Sequence, residues 1–281
     1  MEFAAAPASN YSLSDLVSVL NRGFDGYVIP IHFTNDLFSN MLRKDGIDLA
    51  DSRILLADNR ACGIALIACR RSLGTSRVAA MGIAREARGK GAGSWFMNTL
   101  VDDACARGER EMVLEVIEQN DPAVKLYRKY GFTSVRRLVG YISKDKGVDA
   151  DEGNELKEID LQDMSQRISQ HGLPELPWQL SGESILQMNP PPHALRTGPA
   201  YTVISNPEAE HVVIWSVLVE PERRGNGWGT TMLKRLMAQY PEKTWHVPAL
   251  FPEEMGNVFE RAGFEKEELS QWQMKLTLQG R

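Results

Sequence analysis

The residues best suited to chemistry in this chain of 281 amino acids form a glycine-rich hexapeptide, Arg88-Gly89-Lys90-Gly91-Ala92-Gly93. A near copy, Arg224-Gly225-Asn226-Gly227-Trp228-Gly229, lies at the matching place in the second half. Each follows an apolar, strand-like run and opens a helical pattern. Glycines at such a junction let the backbone bend sharply and leave N–H groups pointing outward, unobstructed by Cβ atoms. The following helix adds unpaired N–H groups and the positive end of its dipole. Together they make a cradle for a pyrophosphate, and Lys90, with Arg85 and Arg88, adds full positive charge. A P-loop would need Ser or Thr after Gly-Lys, but Lys90 precedes Gly91. The dinucleotide fingerprint G-x-G-x-x-G is not matched, because Gly89, Gly91 and Gly93 simply alternate with other residues.

The elements around the cradle repeat as well. In the first half the sequence predicts a helix over 12–22 with Ser12 as N-cap, strands at 52–57 and 62–69 joined by Asp58-Asn59-Arg60, and a strand over 78–84 running into the glycines. A helix over 94–107, a strand over 112–117 and a helix over 122–130 follow. Residues 143–155 are polar and contain Gly147 and Gly153, the composition of a linker. The second half predicts a strand at 156–159, a helix over 161–170, a proline-rich loop at 189–192, and strands at 201–205 and 211–219. After the second cradle come a helix over 230–240, a strand near 244–247, a helix over 253–262 and a strand over 271–278. A glycine-dense element recurring in one context points to two copies of one domain.

Composition is that of a globular protein, 43% apolar and 25% charged. No apolar run approaches the ~20 residues that span a bilayer, and the N-terminus lacks the pattern of a signal peptide. Cys62, Cys69 and Cys105 are odd in number, share no metal-like spacing and sit in apolar stretches, so they read as reduced core thiols of a cytoplasmic protein. The net charge of -5 is uneven, slightly positive in the first half and acidic in the second. Neither half is basic enough for nucleic-acid binding.

The pattern Arg88-x-x-Gly91-x-Gly93 after a strand resembles the acetyl-CoA signature Q/R-x-x-G-x-G/A of the GNAT superfamily of N-acetyltransferases. The second copy keeps the frequent approach V-x-P in Val219-Glu220-Pro221. Asn120-Asp121-Pro122-Ala123-Val124-Lys125-Leu126-Tyr127 through Tyr130-Gly131-Phe132 is similar to that family's N-x-x-A-x-x-L-Y-x-x-x-G-F. The resemblance implies an α/β fold of two tandem GNAT-like domains, each a mixed β-sheet flanked by α-helices. It implies acetyl-CoA as cofactor, bound by Ile83, Arg88, Gly89, Lys90, Gly91, Ala92, Gly93, Ser94 and Asn120. It implies transfer of acetyl to a primary amine by direct attack in a ternary complex, with no nucleic-acid or membrane partner. By the same resemblance Tyr127 is the general acid that protonates the departing thiolate; a phenol with pKa near ~10 suits that task.

Leu114-Glu115-Val116 before Asn120 looks like the L-E-V-x-x-x-N run of the protein N-terminal branch, which makes Glu115 a candidate base. A carboxylate on an apolar strand is costly to bury unpaired; Glu118 is the nearest alternative, and by the same resemblance many members relay the proton through water, with no single base. The acceptor stays open between a small molecule and a peptide or protein N-terminus, and Tyr27, Phe33, Phe38 and Met41 either line its pocket or pack the core. Aligning Gly263-Phe264 with Gly131-Phe132 sets Phe259 against Tyr127 and Pro252 against Asn120. The expected division is therefore a catalytic domain over 1–142, a linker over 143–155 and a degenerate domain over 156–281. The competing reading is a non-catalytic acyl-CoA-binding regulatory module.

Overall fold

The structure is a computed structural model that describes residues 2–144 and 155–278. In chain order its elements are β1 (Phe3–Pro7), α1 (Leu13–Gly23), α2 (Asn35–Asp45), β2 (Ile47–Ala57), β3 (Arg60–Arg70), β4 (Thr75–Ile83), α3 (Ala92–Ala106), β5 (Glu111–Ile117), α4 (Asp121–Lys129) and β6 (Thr133–Ser143). There follow β7 (Lys157–Ile159), α5 (Leu161–His171), α6 (Gly182–Leu186), β8 (His193–Thr197), β9 (Ala200–Ile204), β10 (His211–Val219), α7 (Trp228–Gln239), β11 (Thr244–Pro252), α8 (Gly256–Glu260) and β12 (Glu265–Thr277). Most of the expected linker, residues 145–154, lies outside the described residues.

Two compact units emerge, and they do not follow chain order. The first comprises the described residues up to Val135 together with those from Trp272; the second is Arg136–Gln271. Thus β6 begins in the first unit and continues in the second, while β12 begins in the second and ends in the first. The sequence-based boundary near residue 142 ignores this exchange, because nothing local in the chain announces where a strand will find its neighbours.

In the first unit β1 to β4 form an antiparallel meander. Asp58 and Asn59, with φ 48° and 63°, make the tight turn between β2 and β3, the left-handed conformation that such short polar residues tolerate. β5 pairs with β4 in parallel, but only from Thr75↔Glu111 to Val78↔Leu114. Beyond that point the strands part. β4 also steps out of register with β3 between Val78 and Ala80, leaving Ala79 as a bulge that bends the strand. On one face α3 and α4 cover a core of Phe96, Met97, Leu100, Met112, Leu114 and Tyr127. On the other, α1 and α2 cover Ile54, Ile64 and Leu66. Ser12 and Thr34 cap these two helices by accepting from the amides of Asp15 and Leu37 at 3.2 Å, each satisfying one orphan donor.

The second unit repeats the plan. β7 to β10 are antiparallel, and β11 runs parallel to β10 only from His211↔Thr244 to Val213↔His246. Trp215 occupies the bulge that Ala79 occupies in the first unit. α7 and α8 cover one face; α5 and α6 cover the other. The fold is α/β in two like halves, each with a central pair of strands that parts towards its cradle.

Candidate active site

Where β4 and β5 part, the inner edge of Ala79–Ile83 has no strand partner on that side among the described residues. Ile83 ends the strand, half-buried, and the chain then enters the cradle. Gly89 and Gly91 have φ of 73° and 85°, matched by 79° at both Gly225 and Gly227. A side chain at any of these would strain the backbone. Gly91 is the N-cap of α3 and brings no capping side chain, and a Cβ placed on it would meet nothing within 4 Å, so no side chain of this residue satisfies the first amides of the helix. Ala92 is buried in the α3 core. A Cβ on Gly93 would stand 3.3 Å from Leu126 Cδ2, so this glycine lets α3 lie close to α4. Ser94 Oγ accepts from Lys129 Nζ at 3.0 Å, and its carbonyl accepts from the Tyr130 hydroxyl. The free strand edge and the outward amides suit a pantetheine arm and a pyrophosphate.

Arg88 does something the sequence did not suggest. Its Nε donates to the Ile83 carbonyl at 2.7 Å, and Nη2 donates to the carbonyls of Gly23 at 2.8 Å and Asp25 at 3.0 Å. The guanidinium ties the end of β4 to the end of α1, and its charge is spent on carbonyls. Arg224 repeats the device, donating to Val219 at 3.1 Å and to the carbonyl of His171 at the end of α5. Arg85 is paired with Asp25 at 2.9 Å. Lys90 stays exposed at the tip of the cradle.

Asn120 caps α4: its Oδ1 accepts from the Ala123 amide at 3.4 Å. Its side chain also hydrogen-bonds the hydroxyl of Tyr27, from the loop after α1. Tyr127 follows two turns into α4, 8% exposed, with its ring 5.7 Å from that of Phe132. Burial, and then the nearby Tyr27 hydroxyl, push its pKa well above that of a free phenol. Burial raises Tyr27 as well, offset in part by Asn120. The phenols of Tyr27 and Tyr127 and the amide of Asn120 thus lie near one another.

Glu115 stands elsewhere. Along β5 its neighbours Leu114 and Val116 point into the α3–α4 core, so Glu115 points to the opposite face. Its Oε2 accepts from Arg77 Nε at 2.7 Å, and Arg77 Nη1 reaches Asp45 Oδ2 at 3.1 Å. Burial opposes the charge on Arg77, but Glu115 and Asp45 outweigh it and hold the guanidinium protonated. The carboxylate imagined as unpaired on sequence grounds is committed to a buried arginine. Arg77 and Asp45 are far from Glu115 in the chain, and no local spacing signals the pairing.

Of the four residues considered for the acceptor pocket, Phe38 is fully buried and Phe33 and Met41 pack on the same core. Tyr27 lines an open groove, shared with Phe24, Ile31, His32, Arg22 and Arg85. The Cys69 thiol is a poor nucleophile: burial, with the Asp51 and Glu109 carboxylates, pushes it up to about 12.

In the second unit Phe259, opposite Tyr127, is fully buried. It stacks on Tyr141 at 5.0 Å and meets Phe251 edge-on at 5.3 Å. His246 binds Glu267 at 3.1 Å on β11, and Tyr240 closes α7. Neither replaces the missing phenol on α8. Among the described residues no helix is long and apolar enough to cross a membrane.

Comparison with known proteins agrees with this fold. The profile of the Acetyltransferase (GNAT) family matches residues 32–132 and 193–264, together more than half of the chain. No curated protein is a significant match in sequence. Among solved structures, a GCN5-related N-acetyltransferase from Sphaerobacter thermophilus superposes with a TM-score of 0.69 at 16% identity, covering 98% of this chain and 96% of its own. A putative acetyltransferase from Pyrococcus horikoshii gives 0.65 at 14%, covering 98% and 89%. A tandem GNAT protein from the clavulanic acid biosynthesis pathway gives 0.64 at 14%, covering 100% and 99%. At these identities the likeness is one of fold.

Proposed function

The chain belongs to the acetyltransferase (GNAT) family, and from that premise we propose that its first unit transfers an acetyl group from acetyl-CoA to a primary amine of a small molecule or peptide. The observation that carries this reading is the buried Tyr127 near the Tyr27 hydroxyl, on a helix capped by Asn120, in a unit whose parallel strands part ahead of a glycine cradle. Acetyl-CoA, when bound, supplies the acetyl group as a thioester. The free edge of Ala79–Ile83 and the amides of Gly89 to Ser94 would hold its pantetheine and pyrophosphate. Ordered backbone N–H groups would stabilise charge developing on the thioester oxygen. The amine forms the new C–N bond as the C–S bond breaks, and Tyr127 gives its proton to the leaving sulfur.

Glu115 has no part in this proton transfer, because its carboxylate is held by Arg77 on the opposite face of the sheet. The amine proton leaves through water. The acceptor approaches along the groove lined by Tyr27, whose hydroxyl is hydrogen-bonded to Asn120. The test is release of the CoA thiol from acetyl-CoA across a panel of amines and peptides, comparing the natural chain with Tyr127→Phe. Thiol release that ignores this substitution would remove the acid assignment.

A further inference from the structure

Arg88 belongs to the cradle by its place in the chain and to the acceptor groove by its bonds. Its Nε donates to the Ile83 carbonyl at 2.7 Å, where β4 ends, and its Nη2 to the carbonyls of Gly23 at 2.8 Å and Asp25 at 3.0 Å, where α1 ends. A planar fork of donors fixed to carbonyls of two elements sets both the distance and the angle between them. The backbones meet there without side chains. A Cβ on Gly23 would stand 2.8 Å from the carbonyl carbon of Gly82, on the free edge of β4.

What the fork holds is the stem of the loop between α1 and α2, residues 24–34. Phe24, Tyr27, Pro30, Ile31 and His32 of that loop line the groove. At the far end Asn21 closes it: Nδ2 donates to the Phe33 carbonyl at 2.9 Å, and Oδ1 accepts from the Phe33 amide at 2.8 Å. Inside, the Phe24 ring meets Tyr27 edge-on at 4.8 Å and Phe33 at 6.1 Å. Tyr27 stands two residues past Asp25, and its hydroxyl carries the bond to Asn120. The second unit supplies an internal control. Arg224 clamps Val219 to His171 in the same way, but Pro252 stands opposite Asn120 and has no side-chain amide to bond. The clamp is there without the contact it would position.

We propose that Arg88 is a positioning residue of the acceptor site: its guanidinium holds the loop stem so that Tyr27 meets Asn120, and only its backbone serves the cofactor. This rests on the acetyl-transfer reading of the first unit. Three variants of the full-length protein test it. Arg88→Met keeps the stem and has no donor, Arg88→Lys keeps the charge without the fork, and Arg224→Met removes the same clamp from the second unit. The side-chain amide resonance of Asn120, assigned with Asn120→Asp, reports the Tyr27 bond, and Tyr27→Phe gives its position once that bond is gone. In Arg88→Met and Arg88→Lys the resonance should move most of the way to that position, and in Arg224→Met it should stay. Calorimetric titration with free CoA should give a Kd within about three-fold of the natural value in Arg88→Met. The KM for phenethylamine or trialanine should rise by at least about ten-fold, since misplacing a positioning group is costly, while Arg224→Met leaves it unchanged. An Asn120 resonance unmoved in Arg88→Met overturns the proposal. So does a CoA affinity that falls in Arg88→Met and returns in Arg88→Lys, which would make the guanidinium a phosphate ligand. If Arg88→Met fails to fold, Arg88→Lys decides by the same resonance. Absence of thiol release with every amine, the Asn120 result intact, would fall on the acetyl-transfer reading alone.

Discussion

Tyr127 and Glu115 divide the labour of one short stretch of chain by the face of the sheet each side chain reaches. Tyr127→Phe keeps the ring against Phe132 and removes one hydroxyl. Thiol release should fall by at least about ten-fold, and by about a hundred-fold if the acid contributes the lower end of the usual range, with little change in melting temperature. Glu115→Gln should do the reverse, lowering the melting temperature while the pH profile of kcat/KM keeps its shape. Loss of the basic limb of that profile would restore Glu115 as the base. Arg77→Met should cost about 3–5 kcal/mol, because it strands buried carboxylates; urea unfolding measures it. The buried phenols set an alkaline limit. Tyr127 has a folded pKa raised above its unfolded value near ~10, so its contribution to stability is complete below that pH and is lost as pH rises further. Cys69, raised from 9.0 to about 12, acts in the same direction from pH 9 upward. Melting temperature should therefore fall above pH 9, more gently in Cys69→Ala, and Cys69 should resist alkylation at pH 8 in the folded protein.

At the scale of elements, the two cradle helices approach their neighbours to different degrees. A methyl on Gly93 would meet the flexible end of Leu126 at 3.3 Å, whereas one on Gly229 would meet Val258 Cγ1 at 2.9 Å. Gly93→Ala should be neutral or slightly stabilising, because alanine favours helix by up to about 1 kcal/mol. Gly229→Ala should be destabilising, because a β-branched neighbour cannot swing aside and α8 must shift; thermal melts of the two variants give the order. These helices were legible in the sequence because their caps, glycines and apolar spacing are local. The acid candidate was legible for the same reason, since Asn120 and Tyr127 lie in one continuous motif. β1 was not, because Phe3–Pro7 is three alanines between Phe and Pro and carries no strand signal. β11 was read too short, because Pro248 breaks the pattern. In the structure Pro248 sits where β11 and β6 lose register, a place where a missing N–H is tolerated. The carbonyl clamp of Arg88 and the pairing of Arg77 with Glu115 join residues distant in sequence, which motif spacing cannot report.

At the scale of the whole chain, the exchange of strands makes the first unit depend on the last residues of the sequence. Every candidate site residue precedes residue 128, yet Met274, Leu276 and Leu278 are buried in the same core as Tyr127 and Met112. The backbone joins as well: the Leu278 amide donates to the Arg110 carbonyl at 2.8 Å, and the Thr133 hydroxyl donates to the Lys275 carbonyl at 3.3 Å. Burying such side chains stabilises by about 1.5–3 kcal/mol each, so three of them rival the whole net stability of a domain, about 5–15 kcal/mol. A chain cut after Gln271 should lose acetyl-CoA-dependent thiol release although its acid, cap and cradle are intact. A fragment ending at residue 142 should be unfolded by circular dichroism, and adding a peptide of residues 265–281 should restore part of its helical signal. A truncated chain with natural turnover would show that the first unit completes its sheet without the C-terminal strand. Point substitutions Met274→Asp and Leu276→Asp separate the loss of packing from the loss of chain. Either should lower the first unit's turnover as far as the truncation does, by burying an unpaired charge in the core that holds Tyr127.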